Sequence, residues 1–125
     1  MAELFTIDWD AQRPILYITH GRGLWTNADF DVYERHLDTA LRKAPVGGFD
    51  LLLDQSESTP QEIEVSNRRN TTLNRMLGAG LKRVFVVAPG ALMHMQTSRV
   101  NRQSGADQSI FTRCTTRAEA LALLK

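Results

Sequence analysis

The chain has 125 residues, of which 42% are hydrophobic and 23% are charged, and its formal net charge is +1. A chain of this size is expected to fold as one domain, here residues 1–125, with a core that needs neither disulfides nor metal. The near-neutral charge argues against a simple nucleic-acid binder, and no apolar run is long enough to cross a membrane. The single cysteine excludes an internal disulfide and favours a reducing, cytoplasmic location.

Two strands and a helix are predicted in the first third of the chain. Apolar and polar residues alternate over 4–9, which is the period of a half-buried strand, and 15–19 is rich in β-branched and aromatic residues. The short connection between them indicates an antiparallel hairpin. Thr26 and Asp29 form a predicted helix cap, and apolar residues then recur at helical spacing as far as Ala44.

The rest of the chain alternates between predicted helices and strands. The elements are a strand at 49–54, a helix from Pro60 to about Ala79, a strand at 83–88, a helix at 91–102, a strand at 109–112 and a last helix opened by a capping box at Thr116 and Glu119. The order β-β-α-β-α-β-α-β-α predicts an α/β domain. Its sheet is expected to be mixed and mostly parallel, with an antiparallel N-terminal edge strand.

The net charge conceals an asymmetry between the two halves of the chain. Residues 1–62 hold 11 acidic and five basic side chains, whereas residues 63–125 hold three acidic and ten basic ones. Either the halves neutralise each other within the domain, or the surface is polarised with one basic face. Because no aromatic residues are interleaved, such a face would suit an acidic protein or an anionic ligand. Its candidate residues are Arg68, Arg69, Arg99 and Arg102.

Three features suggest a chemical site, but their spacing argues against one. The turn Gly21-Arg22-Gly23 is followed by Thr26 where a dinucleotide loop needs a third small residue. Cys114 shares no motif with a histidine, so we interpret it as a packing residue. Met93-His94-Met95 would point in directions about 100° apart on a helix and cannot bind one ion together. We therefore expect no catalytic residue, no metal and no cofactor.

The best candidate site follows the predicted strand at 49–54. In open α/β sheets, ligands bind outside the carboxyl ends of the strands, where Asp54 lies. The next residues supply hydroxyls beside a helix start, where backbone amides favour an anion. These hydroxyls either cap the helix or contact a ligand or partner. The second interpretation assigns binding roles to Asp54, Ser56, Ser58 and Thr59.

Together these elements resemble the SpoIIAA-like branch of the STAS domains. The resemblance rests on the hairpin with its Gly-x-Gly-Leu-Trp-Thr turn, on the strands at 49–54 and 83–88, and on the closing segment 110–124. It implies a small mixed-sheet domain without catalytic machinery. Founding members act as anti-sigma-factor antagonists, controlled by phosphorylation of a serine in an Asp-Ser-Ser-Gly type motif. The corresponding segment here lacks the Ser-Gly element, and Ser56 and Ser58 are the positions to which the resemblance assigns phosphorylation.

The leading functional hypothesis is a non-enzymatic regulatory or protein-interaction domain. It would act through the 54–60 loop and the second and third helices. The alternative is a small carrier of an apolar or lipid-like ligand, because the branch also resembles lipid-binding Sec14-type domains and because Met76, Met93 and Met95 offer adaptable walls.

Two weaker hypotheses concern catalysis and oligomerisation. An enzyme would pair Asp54 with His20 as proton-transfer groups. A homodimer would form through the edge strands at 4–9 and 109–112, because an unpaired edge offers free backbone donors and acceptors.

Overall fold

A five-stranded sheet with helices on both faces organises the computed structural model, which describes residues 4–10, 13–58, 63–88, 95, 99, 102 and 108–124. The strands are β1 (Phe5–Trp9), β2 (Ile15–His20), β3 (Phe49–Asp54), β4 (Leu81–Val87) and β5 (Phe111–Cys114). The helices are α1 (Asn27–Leu41), α2 (Ile63–Gly78) and α3 (Arg117–Leu123), and a 3-10 turn at Gln108–Ile110 precedes β5.

The strands lie in the order in which they occur along the chain. β1 is antiparallel to β2, and β2, β3, β4 and β5 are parallel to one another. This arrangement confirms the predicted mixed α/β sheet with an antiparallel N-terminal edge strand. The predicted helix at 91–102 lies largely outside the described residues, although Met95, Arg99 and Arg102 have helical backbones.

The last strand differs from its prediction. The sequence indicated a strand at 109–112, but β5 runs from Phe111 to Cys114. The preceding residues form the 3-10 turn instead. Pairing with β4 explains the shift, because Phe111 aligns with Val84 and Cys114 aligns with Val87 at the end of that strand. A single-strand pattern cannot reveal where its partner begins and ends.

Both faces of the sheet are covered, as the continuous apolar run of β3 predicted. On one face, Leu16, Leu51 and Val84 pack with residues of α1 and α2. On the other face, Leu52 packs with Phe85, Cys114 and, on α3, Ala120. Cys114 is 1% exposed, and burial raises the pKa of its thiol, with Glu119 adding to the shift. This environment agrees with the packing role predicted for the cysteine.

Caps close the two helices whose starts are described. Thr26 Oγ1 accepts a hydrogen bond from Asp29 N at 3.1 Å, and Asp29 Oδ2 accepts one from Thr26 N at 2.8 Å, which completes the predicted cap of α1. At α3, Thr116 Oγ1 accepts from Glu119 N at 3.2 Å. The Glu119 carboxylate instead accepts from Thr115 N at 3.0 Å, one residue before the expected donor of a capping box.

Ion pairs join the acidic and basic halves of the chain. Of seven ion pairs among the described residues, six join a basic side chain beyond residue 63 to an acidic one before residue 62. Arg68 and Arg75 of α2 bind acidic residues of α1, while Arg83 binds Asp50 of the neighbouring strand. These ion pairs support charge complementarity between the two halves of the chain, the first of the two explanations of the asymmetry.

Two glycines allow the turn before β3 and the turn before β4 to meet. Gly48 has a φ of 92° and Gly80 a φ of 111°, in the left-handed region that favours glycine. A Cβ on Gly48 would lie 2.7 Å from the Gly80 carbonyl oxygen. That carbonyl accepts the hydrogen bond from Phe49 N at 3.0 Å, so the close approach begins the pairing of β3 with β4.

We expect Gly48→Ala to lower the free energy of unfolding by about 2 kcal/mol, because a left-handed alanine is strained and its Cβ overlaps the carbonyl. Gly47→Ala is the matched control, since a Cβ there meets nothing within 4 Å. Its effect should stay within about 0.5 kcal/mol. Urea unfolding of both variants measures the difference. Equal losses of unfolding free energy would show that the close approach of Gly48 to Gly80 does not matter for stability.

Candidate functional site

The candidate site lies at the carboxyl edge of the parallel strands. Because β2 and β3 are parallel, the loops that follow them emerge at the same edge of the sheet. We call residues 21–24 and 55–58 the loop edge. Arg22 Nε and Glu57 Oε2 are 2.7 Å apart and join the two loops, although both side chains are largely exposed. Beside them, Leu24 is 59% exposed and offers an apolar contact surface.

Asp54 is a fully engaged carboxylate rather than a free base. One of its oxygens, Oδ1, accepts hydrogen bonds from Ser56 N at 2.9 Å and from Ser56 Oγ at 2.6 Å. The other, Oδ2, accepts from Arg117 Nη1 at 3.1 Å. The same guanidinium contacts Thr19 Oγ1 and lies over the Tyr17 ring. Asp54 therefore ties the loop after β3 to the first turn of α3.

These contacts lower the pKa of Asp54. Burial favours the neutral acid, but the two hydrogen bonds from Ser56 and the interaction with Arg117 outweigh it, so the pKa falls below its ordinary value of 3.8. The ionised carboxylate therefore stabilises the fold at pH values above 3.8. This stabilisation is lost as the pH falls through the lowered pKa of the folded state.

The structure does not assemble the hypothetical pair of Asp54 and His20. Asp54 aligns with Thr19 in the sheet, and both side chains face α3. His20 follows Thr19, so strand alternation directs its ring to the opposite face, where it packs against Trp25 and Tyr33. Burial, and then the charge of Arg69, hold the pKa of His20 well below its ordinary value, so the ring is neutral. The two proposed proton-transfer groups therefore face opposite sides of the sheet.

The arginines expected to share a basic face occupy different environments. Arg68 forms ion pairs with Asp31 at 2.7 Å and Glu34 at 3.3 Å, and it lies over the Phe30 ring. Arg69, its neighbour, is 8% exposed and points into the core. These two arginines therefore do not lie on one exposed face, and the binding roles of Arg68, Arg99 and Arg102 stay predictions. Arg99 is partly buried and Arg102 is exposed.

The two hydroxyl residues that follow Ser56 have less defined roles. Ser58 is partly buried, and its N–H donates to the Gln55 carbonyl at 3.1 Å, which closes the turn after β3. Thr59, the other proposed binding or capping residue, lies outside the described residues. The binding roles of both residues, like those of Asp54 and Ser56, stay predictions.

A small cavity lies beneath the loop edge, between the sheet and α2. It has a volume of about 40 Å³. Its polar lining comes from His20, Tyr33, Gln55, Arg69 and Thr72. The charge of Arg69 predicts an exposed position rather than one in this cavity. Its spacing was informative, however, because Arg69 lies four residues after Val65 and four before Leu73, which are both buried.

No helix within the described part of the chain is long and apolar enough to cross a membrane. The described residues likewise contain no group of three or more histidine, cysteine or carboxylate side chains placed to hold a metal ion.

Two solved structures are similar to this chain over nearly its whole length. An uncharacterized protein of the DUF3478 family with a SpoIIAA-like fold, from Shewanella loihica PV-4, has a TM-score of 0.68 at 19% identity, over 97% of this chain and 92% of that one. An anti-sigma factor antagonist from Mycobacterium paratuberculosis has a TM-score of 0.59 at 12% identity, over 95% and 92%. No family model matches the sequence, and neither does any curated protein. The chain therefore has the SpoIIAA-like fold of STAS domains, as the resemblance implied.

We expect Asp54→Asn to lower the free energy of unfolding by about 2 kcal/mol at neutral pH, because it removes a buried carboxylate that accepts three hydrogen bonds. The difference in the free energy of unfolding between wild type and variant should become smaller as the pH falls below 3.8. Urea unfolding across this pH range measures it.

The matched control is Asp50→Asn. Asp50 also pairs with one arginine, Arg83, but the Arg83 side chain is 53% exposed, so the loss should stay below about 1 kcal/mol. If the difference in the free energy of unfolding between wild type and Asp54→Asn does not change with pH, the role assigned to the ionised carboxylate is wrong.

Proposed function

We propose that this chain is a non-enzymatic regulatory domain that binds a protein partner through the loop edge. The proposal includes a cytoplasmic location, which the single cysteine favours. The observation that carries it is exposed Leu24, which lies on the same loop as Arg22. The Arg22–Glu57 ion pair joins that loop to the 55–58 loop, which the Asp54 contacts with Ser56 hold in place. One structure with the same fold is an anti-sigma factor antagonist, which supports a protein rather than a small molecule as the partner.

The loop edge suits a protein interface because it is ordered before binding. Ser56 is held by two hydrogen bonds to Asp54, and the loop closes with the Ser58–Gln55 backbone bond. A preorganised loop loses less conformational entropy on association. An exposed apolar side chain surrounded by polar groups is the usual composition of an interface centre and rim.

The same geometry argues against a phosphorylation switch at Ser56. Its hydroxyl donates to Asp54 Oδ1 at 2.6 Å, so phosphorylation would remove this bond and place a phosphate against the carboxylate. Glu57, the next residue, adds a second negative charge. The proposal is therefore a constitutive interface at the loop edge, with Ser56 and Ser58 as contact residues.

The carrier hypothesis has less support from the described residues. The cavity beneath the loop edge, at about 40 Å³, has room for about three water molecules, so an acyl chain could not lie in that cavity. Of the methionines assigned to the ligand walls, Met76 lines this cavity, Met95 is 66% exposed, and Met93 lies outside the described residues.

Homodimerisation stays a prediction that the fold permits. β1 and β5 are the outer strands of the described sheet, so each has one edge without a neighbouring strand. A second copy of the chain is therefore one of the partners that the following experiment can identify.

Crosslinking at position 24 in the native host, followed by binding of the purified partner, tests the proposal. We expect Leu24→Ser to weaken that binding about tenfold or more, because Leu24 is the main exposed apolar group of the loop edge. Titration calorimetry with wild type and variant measures the change.

Val46→Ser is the matched control. Val46 is also an exposed apolar residue, but it precedes β3 and so lies at the opposite edge of the sheet. Its substitution should leave the affinity unchanged. Equal losses at both positions, or crosslinks from position 46 but not from position 24, would overturn the proposal.

A further inference from the structure

Arg69 is a buried cation without an acidic partner among the described residues. Its side chain belongs to α2 and faces the cavity. Its Nε and Nη1 atoms are buried, and no acceptor for them lies among residues 4–10, 13–58, 63–88 and 108–124. Burial lowers the pKa of the guanidinium, but arginine remains charged at physiological pH. An unpaired buried charge costs several kcal/mol, so the structure around Arg69 requires a compensating group.

His20 supplies a further unpaired donor to the same cavity. Its Nδ1 lies 3.4 Å from Gln55 Nε2, an N–H donor, so Nδ1 is the accepting nitrogen. The neutral ring therefore carries its proton on Nε2, which is buried and has no hydrogen-bond partner within the described part of the chain. Thr72, another polar lining residue, already donates its hydroxyl hydrogen to the Arg69 carbonyl. The cavity thus presents N–H donors and a positive charge.

We propose that this cavity binds a small monovalent anion between Arg69 and His20. Its volume of about 40 Å³ accommodates an ion between chloride and formate in size. The remaining walls are apolar, and they are formed by Leu51, Leu53, Leu73, Met76 and Val84. Such walls disfavour strongly hydrated divalent anions, because those ions lose more hydration energy on entering. Metal cations are excluded because the positive charge of Arg69 repels them.

This inference is independent of the protein interface. Gln55 belongs to both the loop edge and the cavity wall. The anion, however, would lie inside the cavity between the sheet and α2, and a protein partner would bind the exposed side chains of the loop edge. Loss of the partner interaction therefore leaves the anion site intact, and the two proposals can fail separately.

Bromide, a heavy substitute for chloride, tests the site. Thermal unfolding is followed as sodium bromide replaces sodium gluconate, whose anion is too large for the cavity, at constant ionic strength. We expect the Tm of the wild-type chain to rise by roughly 5 °C at a bromide concentration ten times the Kd.

Arg69→Met should abolish the bromide-dependent rise. The variant is expected to fold, because a buried unpaired charge is replaced by an apolar side chain of similar length. Arg68→Gln is the matched control on the adjacent, solvent-accessible residue and should keep the full rise.

Anomalous diffraction from bromide-soaked wild-type crystals tests the position without a variant. A bromide peak beside the Arg69 guanidinium supports the proposal. An anomalous map without a peak in the cavity overturns it, as does a bromide-dependent Tm rise that persists in Arg69→Met. An unchanged wild-type Tm throughout the titration also overturns it and indicates that water alone fills the cavity.

Discussion

Leu51 and Leu52 are neighbours in β3, and both are fully buried, Leu51 beneath α1 and α2 and Leu52 beneath α3. This burial on both faces allows β3 only one pairing register with its neighbouring strands. A shift by one residue would move the side chains that face α1 and α2 to the side of α3, and the reverse. The alternation continues past the end of the strand. Asp54 therefore faces α3 and meets Arg117, while Gln55 faces the other side and lines the cavity with His20. Two polar sites thus lie back to back at one edge of the sheet.

Local sequence patterns predicted most of the fold. The hairpin, the cap of α1 and the strands β3 and β4 depend on neighbouring residues, so their periodicity was sufficient. The position of β5 was predicted less well, because its limits depend on the partner strand β4. The candidate site shows the same division. Asp54 and Ser56 were found because they follow a buried strand, whereas the contact with Arg117 joins residues 63 positions apart.

Arg69 shows that side-chain charge alone does not predict whether a basic residue is exposed. Four arginines of the C-terminal half, at 68, 69, 99 and 102, lie on two predicted helices and would form one face if those helices were neighbours. Arg68 faces α1 and pairs with its carboxylates, while Arg69, about 100° further round the helix, faces the core. Apolar residues at 65, 73 and 76 identify the buried side of α2, and Arg69 interrupts that stripe. A charged residue within an apolar stripe therefore carries more information than the net charge of the segment.

The back-to-back arrangement at the end of β3 also restricts how this chain can vary in length. Surface loops ordinarily tolerate insertions. One extra residue between Asp54 and Gln55 would turn the amide away from His20 or detach Ser56 from the Asp54 carboxylate, because both contacts depend on consecutive residues facing opposite sides. Insertions beyond Ser58, after the turn has closed, would leave both contacts in place. Evolutionary variation in the length of this loop is thus expected after the turn rather than at its first peptide bond.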